Sequence, residues 1–179
     1  MPRLTVGDTA AARTLPTAWG DHVRIPDPQR LVHLQFRRYA GCPVCNLHLR
    51  SITTRREEIA AAGIRGVVVF HSTAESIAQY QNDLPLTVVA DPDQKPYAEF
   101  GVEAAPRSVL DPRAWPAVVR GIWAMRSLRG AVGTGEQHLG LPADLLIDTH
   151  GHVVAAKHGA HANNQWSVNE LLTLAKATT

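Results

Sequence analysis

The stretch LVHLQFRRYAGCPVCNLHLR, residues 31–50, runs a buried strand into a helix and holds both of the chain's cysteines at the junction. Leu31-Val32-His33-Leu34-Gln35-Phe36 reads as a strand, rich in bulky and β-branched apolar residues. Downstream, Cys45, Leu49, Ile52 and Ile59 recur at helical spacing until Gly63 supplies a stop, so residues 43–62 read as one helix. A C-x-x-C between strand and helix in a βαβ-like pattern is a redox arrangement. With Pro43 as the first helical residue, where its missing N–H costs nothing, Cys42 becomes the N-cap. Its sulfur then faces the free N–H groups of Val44 and Cys45 and the positive end of the helix dipole, which favours thiolate. Cys45 lies one turn deeper on the same face, within disulfide reach. The pattern predicts a nucleophile, Cys42, and its resolving partner, Cys45.

Two plainer readings fit a cysteine pair. Cysteine packs well as a small buried hydrophobe, and C-x-x-C can be half of a zinc site. Zinc needs two more ligands. No second pair exists, and the nine histidines, His48 and His71 among them, are scattered without tight spacing. The expectation is therefore no metal and no cofactor.

At 179 residues the chain is long enough to bury a sizeable core as one domain, 1–179. A formal charge of +2 is too small to imply nucleic acid or a membrane surface as partner. Met1-Pro2-Arg3-Leu4 has no apolar signal core, and no segment approaches a membrane span. The expected location is cytoplasmic, where a cysteine pair is catalytic rather than structural.

Residues 4–25, with Gly7, Asp8, Pro16 and Gly20, read as a hairpin or extended lead-in on the sheet's edge. Val67-Val68-Val69-Phe70 and Leu86-Thr87-Val88-Val89-Ala90 read as strands, separated by a helix near 73–82 capped by Ser72 or Thr73. A short helix at 95–100 ends at Gly101. This rhythm argues for a parallel α/β core. Residues 105–139 interrupt it: Trp115, Val118, Val119, Ile122, Trp123, Met125 and Leu128 precede a glycine-rich run. A helix there either covers the sheet or acts as a lid or subunit contact. A hairpin of 143–148 and 152–156 follows, then a helix from Ser167 with capping-box spacing to Glu170.

Together these pieces resemble the thioredoxin superfamily and, within it, the peroxiredoxin-like (AhpC/TSA-related) proteins. Val6-Gly7-Asp8-Thr9-Ala10 with Leu15-Pro16 is similar to the VGD-x-A-P…L-P lead-in of peroxiredoxins, with Ala11 in place of proline. FRRYAGCPVCNLHLR, residues 36–50, resembles the F-x-R-G-x-x-C-P-x-C-N-x-x-L-R segment of the bacterial peroxiredoxin-like group. Leu141-Pro142-Ala143 with Leu146-Ile147-Asp148 and Gly151 resembles the segment where this superfamily places a cis-proline against the active site. Ala90-Asp91-Pro92 and Tyr97 to Val102 fit the same lineage.

The resemblance implies a thioredoxin-like α/β fold: a central mixed sheet flanked by helices, with an N-terminal extension and the 105–139 insertion. Cys42 would be the attacking thiolate, Cys45 the resolving cysteine and Pro142 the residue shaping the substrate groove. An arginine would stand over the thiolate, with Arg37, Arg38 and Arg107 as candidates. Tyr39 occupies the place where typical peroxiredoxins have Thr or Ser, three residues before the cysteine. Phe36 occupies the place of the buried Asp of thioredoxins, leaving His33, Gln35 or water to handle the resolving thiol's proton. The implied activity is a dithiol–disulfide oxidoreductase acting on a peroxide or a disulfide. A thioredoxin- or glutathione-type thiol system would reduce it, and a homodimer is compatible with the apolar insertion. A thiol–disulfide exchanger without peroxidase activity, a non-enzymatic redox sensor and a zinc module are the competing classes.

Overall fold

The computed structural model describes residues 3–81, 84–102, 112–125 and 141–178. Its strands are β1 (Arg13–Pro16), β2 (His22–Ile25), β3 (Leu31–Arg37), β4 (Ile64–Phe70), β5 (Thr87–Ala90), β6 (Ala143–Ile147) and β7 (Val153–His158). The helices are α1 (Pro43–Thr54), α2 (Arg56–Ala61), α3 (Ala74–Gln81), α4 (Lys95–Glu99), α5 (Trp115–Met125) and α6 (Val168–Lys176). One sheet has the order β5-β4-β3-β6-β7. Strands β5, β4 and β3 are parallel, whereas β6 and β7 join antiparallel, so the sheet is mixed.

Because side chains alternate along β3, it presents two different faces. Val32, Leu34 and Phe36 meet Val67, Val69, Leu145 and Ile147 in an apolar layer closed by Tyr97 and Phe100. Leu15, Val23 and Ile25 of the β1–β2 hairpin belong to that same layer. The hairpin therefore covers the sheet's face, because its inward residues supply the apolar surface that face needs. It meets an edge as well: the Ala18 N–H in the loop after β1 donates to the Val88 carbonyl of β5 at 2.8 Å, and the lead-in runs along the other edge, where Thr9 bridges His152.

The other face lies under helices. Ile52, Ile59, Trp166, Leu171 and Leu172 cover Ile64 and Leu146, while Leu49 and Ile77 cover Val68 and Phe70. The stretch expected as one helix over 43–62 is two, α1 and α2, broken at Arg55. Thr53 and Thr54, both β-branched, weaken the end of α1. Thr54 Oγ1 turns back to the Arg50 carbonyl at 2.8 Å, and Arg55 starts afresh with a bidentate pair to Glu58 at 2.7 Å. The capping box from Ser167 to Glu170 forms as its spacing predicts.

The helix-covered face of β3 is polar and fully enclosed. His33, Gln35 and Arg37 alternate along it, and Asp144 reaches them from β6. Asp144 Oδ1 accepts from Arg37 Nη2 at 2.7 Å and lies 2.8 Å from His33 Nε2, while Gln35 Oε1 accepts from Arg37 at 2.9 Å. Burial pushes the Asp144 carboxyl up, but the Arg37 charge and the His33 hydrogen bond outweigh it and hold the carboxyl far below the usual carboxylate range. Burial drives His33 the other way, toward the neutral imidazole. A buried charge stripped of its partner is costly. Asp144→Asn is expected to lower the unfolding free energy in urea by about 3–5 kcal/mol. A loss near zero would mean that Arg37 is compensated without Asp144.

Candidate active site

Past Arg37 the chain turns through residues 38–41 into α1, and that turn is tied on several sides. The Cys42 N–H donates to the Tyr39 carbonyl at 3.0 Å. Ser72, just beyond β4, accepts from the Ala40 N–H at 2.9 Å. The Ala40 carbonyl accepts from Asn46 Nδ2 at 3.3 Å and from Gln81 Nε2 at 2.8 Å, and Gln81 also donates to Asn46 Oδ1. Asn46 stood inside the C-P-x-C-N motif, and Ser72 was offered by the sequence only as a helix cap, a role that Thr73 takes by accepting the Ser76 N–H at 3.3 Å. Gln81 left no local signal, since it acts across the fold.

Cys42 is the N-cap of α1, with φ −62° and ψ 116°, and Pro43 takes the first helical position, as the spacing predicts. Cys42 Sγ accepts the Cys45 N–H at 3.3 Å and lies 2.7 Å from Cys45 Sγ. Both thiols are free and fully buried. Arg38 Nη1 stands 3.9 Å from Cys42 Sγ, and its guanidinium rests over the Tyr39 ring at 5.4 Å.

Burial alone would push the Cys42 thiol up. The hydrogen bond from Cys45, the Arg38 charge and the backbone N–H groups of Cys45 and Val44 outweigh it and bring Cys42 down to about 6. Cys45 goes the opposite way: burial, its hydrogen bond to Cys42 and the negative charge on Cys42 hold it well above the ordinary thiol value. Near neutral pH one sulfur is therefore a thiolate and the other a thiol that donates to it.

Of the three candidate arginines, Arg38 approaches the thiolate, whereas Arg37 is turned to Asp144. Arg107 lies outside the described residues. Tyr39 joins the apolar cluster of Cys42, Val44 and Cys45 through its ring. His33 and Gln35 belong to the Arg37–Asp144 network beneath α1. His48 Nε2 pairs with the Trp166 carbonyl at 2.7 Å, and His71 stacks on Tyr97 with centroids 5.3 Å apart.

Pro142 departs from the expected geometry. Among the described residues the cis peptide bond is Ile25–Pro26, and the Leu141–Pro142 bond is not cis. The Pro142 carbonyl accepts from the Gly159 N–H at 2.8 Å, and a Cβ on Gly159 would stand 2.7 Å from the Pro142 ring. Close packing against the chain leaving β7 thus sets this segment's backbone. Of the two readings of the insertion helix, a cover for the sheet is not what it forms: α5 packs on α1, with Ala117 and Val118 against the cysteine cluster. The glycine-rich run and Leu128 lie outside the described residues. Among the described residues, no helix is long and apolar enough to cross a membrane, and no three His, Cys, Asp or Glu side chains gather as a metal site.

The model of the AhpC/TSA antioxidant enzyme family matches residues 51–161, beginning just past the cysteine pair. Two curated Mycobacterium tuberculosis proteins, each provisionally named a peroxiredoxin, are 30% identical over 102 residues. That alignment spans 55% of this chain and 65% of each relative's length. Among solved structures, the peroxidoxin BcpB of Mycobacterium tuberculosis superposes with a TM-score of 0.71 at 18% identity, over 99% of both chains. At that identity the likeness shows the fold, the thioredoxin-like fold of peroxiredoxins.

The charge on Arg38 should be visible in the titration of Cys42. Iodoacetamide reacts with thiolate, so alkylation of Cys42 is expected to rise with pH through a midpoint near 6. In Arg38→Met the thiolate loses a stabilising charge, so the midpoint moves to higher pH and labelling at pH 6 falls. An unmoved midpoint would remove Arg38 from the thiolate's environment.

Proposed function

The chain belongs to the AhpC/TSA antioxidant-enzyme family, and from that premise we propose that it is a single thioredoxin-like domain reducing peroxides through Cys42 and Cys45. The observation that carries this reading is the polarised thiol pair. Cys42 sits at a helix N-terminus beside Arg38 with its pKa brought down to about 6, and a protonated Cys45 lies 2.7 Å away.

The Cys42 thiolate attacks one peroxide oxygen and the O–O bond breaks. That oxygen stays on Sγ as sulfenic acid, and the other leaves as alkoxide or hydroxide, taking a proton from solvent. Arg38 orients the peroxide and stabilises the charge that develops on the leaving oxygen. Oxidation also frees the second sulfur. While Cys42 is a thiolate, its negative charge helps to hold Cys45 protonated. Sulfenic acid is neutral, so that hindrance disappears and Cys45 ionises more readily. Its thiolate attacks Cys42 Sγ, the S–O bond breaks, and hydroxide leaves as water once protonated. The resulting disulfide is returned to two thiols by an external dithiol or by two equivalents of a monothiol, of thioredoxin or glutathione type.

The same pair suits disulfide exchange, in which Cys42 forms a mixed disulfide that Cys45 displaces. The spacing favours this second reading, since nucleophile and resolving thiol share one helical turn. One experiment separates the two. Reduced Cys45→Ser protein mixed with stoichiometric hydrogen peroxide near neutral pH is expected to form Cys42 sulfenic acid far faster than free cysteine does. The product is read by trapping and mass spectrometry, and Cys42→Ser should form none. Formation no faster than in free cysteine would sink hydrogen peroxide as substrate and leave exchange as the better reading.

A further inference from the structure

A nucleophile must touch its substrate, yet Cys42 and Cys45 are both 0% exposed. Among the described residues, helix α5 lies over them. Ala117 is 1% exposed and shares a cluster with Tyr39, Cys42, Val44 and Cys45, and Val118 packs against the same group. One turn further along α5, Gly121 meets the first turn of α1. A Cβ at Gly121 would stand 2.5 Å from the Pro43 carbonyl oxygen, 2.6 Å from its carbon and 2.8 Å from its Cβ. Two of those atoms are backbone, so they cannot swing aside. The seat exists only because residue 121 has no side chain. On the opposite side of α5, Trp115, Val119 and Trp123 recur every four residues and are all exposed. Helix α5 is therefore gripped along a narrow strip of small residues directly above the thiols.

We propose that α5 is the access gate of the cysteine pair and that the Gly121–Pro43 seat determines which reactants pass by size. A reactant reaches Cys42 when α5 lifts from Pro43, and a bulky one needs a larger displacement than a small one. The pair is thus selective for small oxidants such as hydrogen peroxide over bulky hydroperoxides and protein disulfides. This rests on the redox reading of Cys42 given above, with α5 as a positioning element and not a participant in the chemistry.

Normally Gly→Ala inside a helix is favourable. Here the added methyl meets fixed backbone, and overpacking of that kind costs enough to unseat the helix. The test labels Cys42 in a Cys45→Ser background with a small reagent, methyl methanethiosulfonate, and a bulky one, Ellman's disulfide. Each rate is compared with that of the urea-unfolded chain at equal thiolate fraction. The folded protein is expected to be protected against both reagents, and more strongly against the bulky one. Adding Gly121→Ala should speed Ellman labelling about tenfold or more, speed the small reagent less, and leave the alkylation midpoint of Cys42 in place. Equal protection against both reagents, or equal acceleration of both by Gly121→Ala, overturns the gate. Should that variant fail to fold, Ala117→Gly removes the methyl above the thiols and is held to the same outcomes. Labelling needs no turnover, so a protein inert to peroxide would sink the proposed function without touching this result.

Discussion

The buried ion pair between Arg37 and Asp144 places the strand that leads to the cysteines. Both side chains are fully enclosed, and the carboxylate also holds His33. Such a pair need not be more stable than an apolar replacement, because taking two charges out of water is costly. Its effect lies in what it forbids. In the observed register Gln35 stands opposite Asp144, and Phe36 opposite Ala143. A slip of one residue would turn Asp144 to the apolar face among Leu34, Phe36 and Val67, with no partner for its charge. Wherever β3 is held, the turn after Arg37 is held too, and with it the N-cap of α1.

On that platform the two thiols become chemically unequal through short-range effects. Cys42 collects donors: a backbone N–H, the Cys45 thiol and the Arg38 guanidinium. Cys45, at the third helical position, gives its own free N–H to Cys42 and faces a negative sulfur. The same 2.7 Å separation that polarises the pair brings the resolving thiol within reach of its target. Polarisation and proximity are thus one geometric fact.

Burial is what makes this polarisation strong, since charges and donors act more fully when water is excluded. It also shuts the site. A cover is then required that excludes solvent at rest and can yield to a reactant, and helix α5, seated on α1 through Ala117 and Gly121, has that geometry. A side chain larger than hydrogen at position 121 would have to displace the backbone of Pro43.

The features legible in the sequence are those whose causes lie within a few residues. The C-x-x-C at a strand–helix junction, Cys42 as N-cap, Pro43 in the first turn and the Ser167 capping box are local interactions, and each is where its spacing placed it. The alternation of His33, Gln35 and Arg37 was also there to be read as a polar face, but its partner Asp144 lies far along the chain. Arg37 and Arg38 are equivalent on paper, and the fold alone sends one to Asp144 and the other to Cys42. Likewise only packing decided that Arg55 divides the expected helix and that the hairpin covers a face. It also decided that the Leu141–Pro142 bond is not cis and that α5 lies over the thiols. Caps and turns are set by neighbouring residues, whereas buried pairs and covers are set by what the rest of the chain brings alongside.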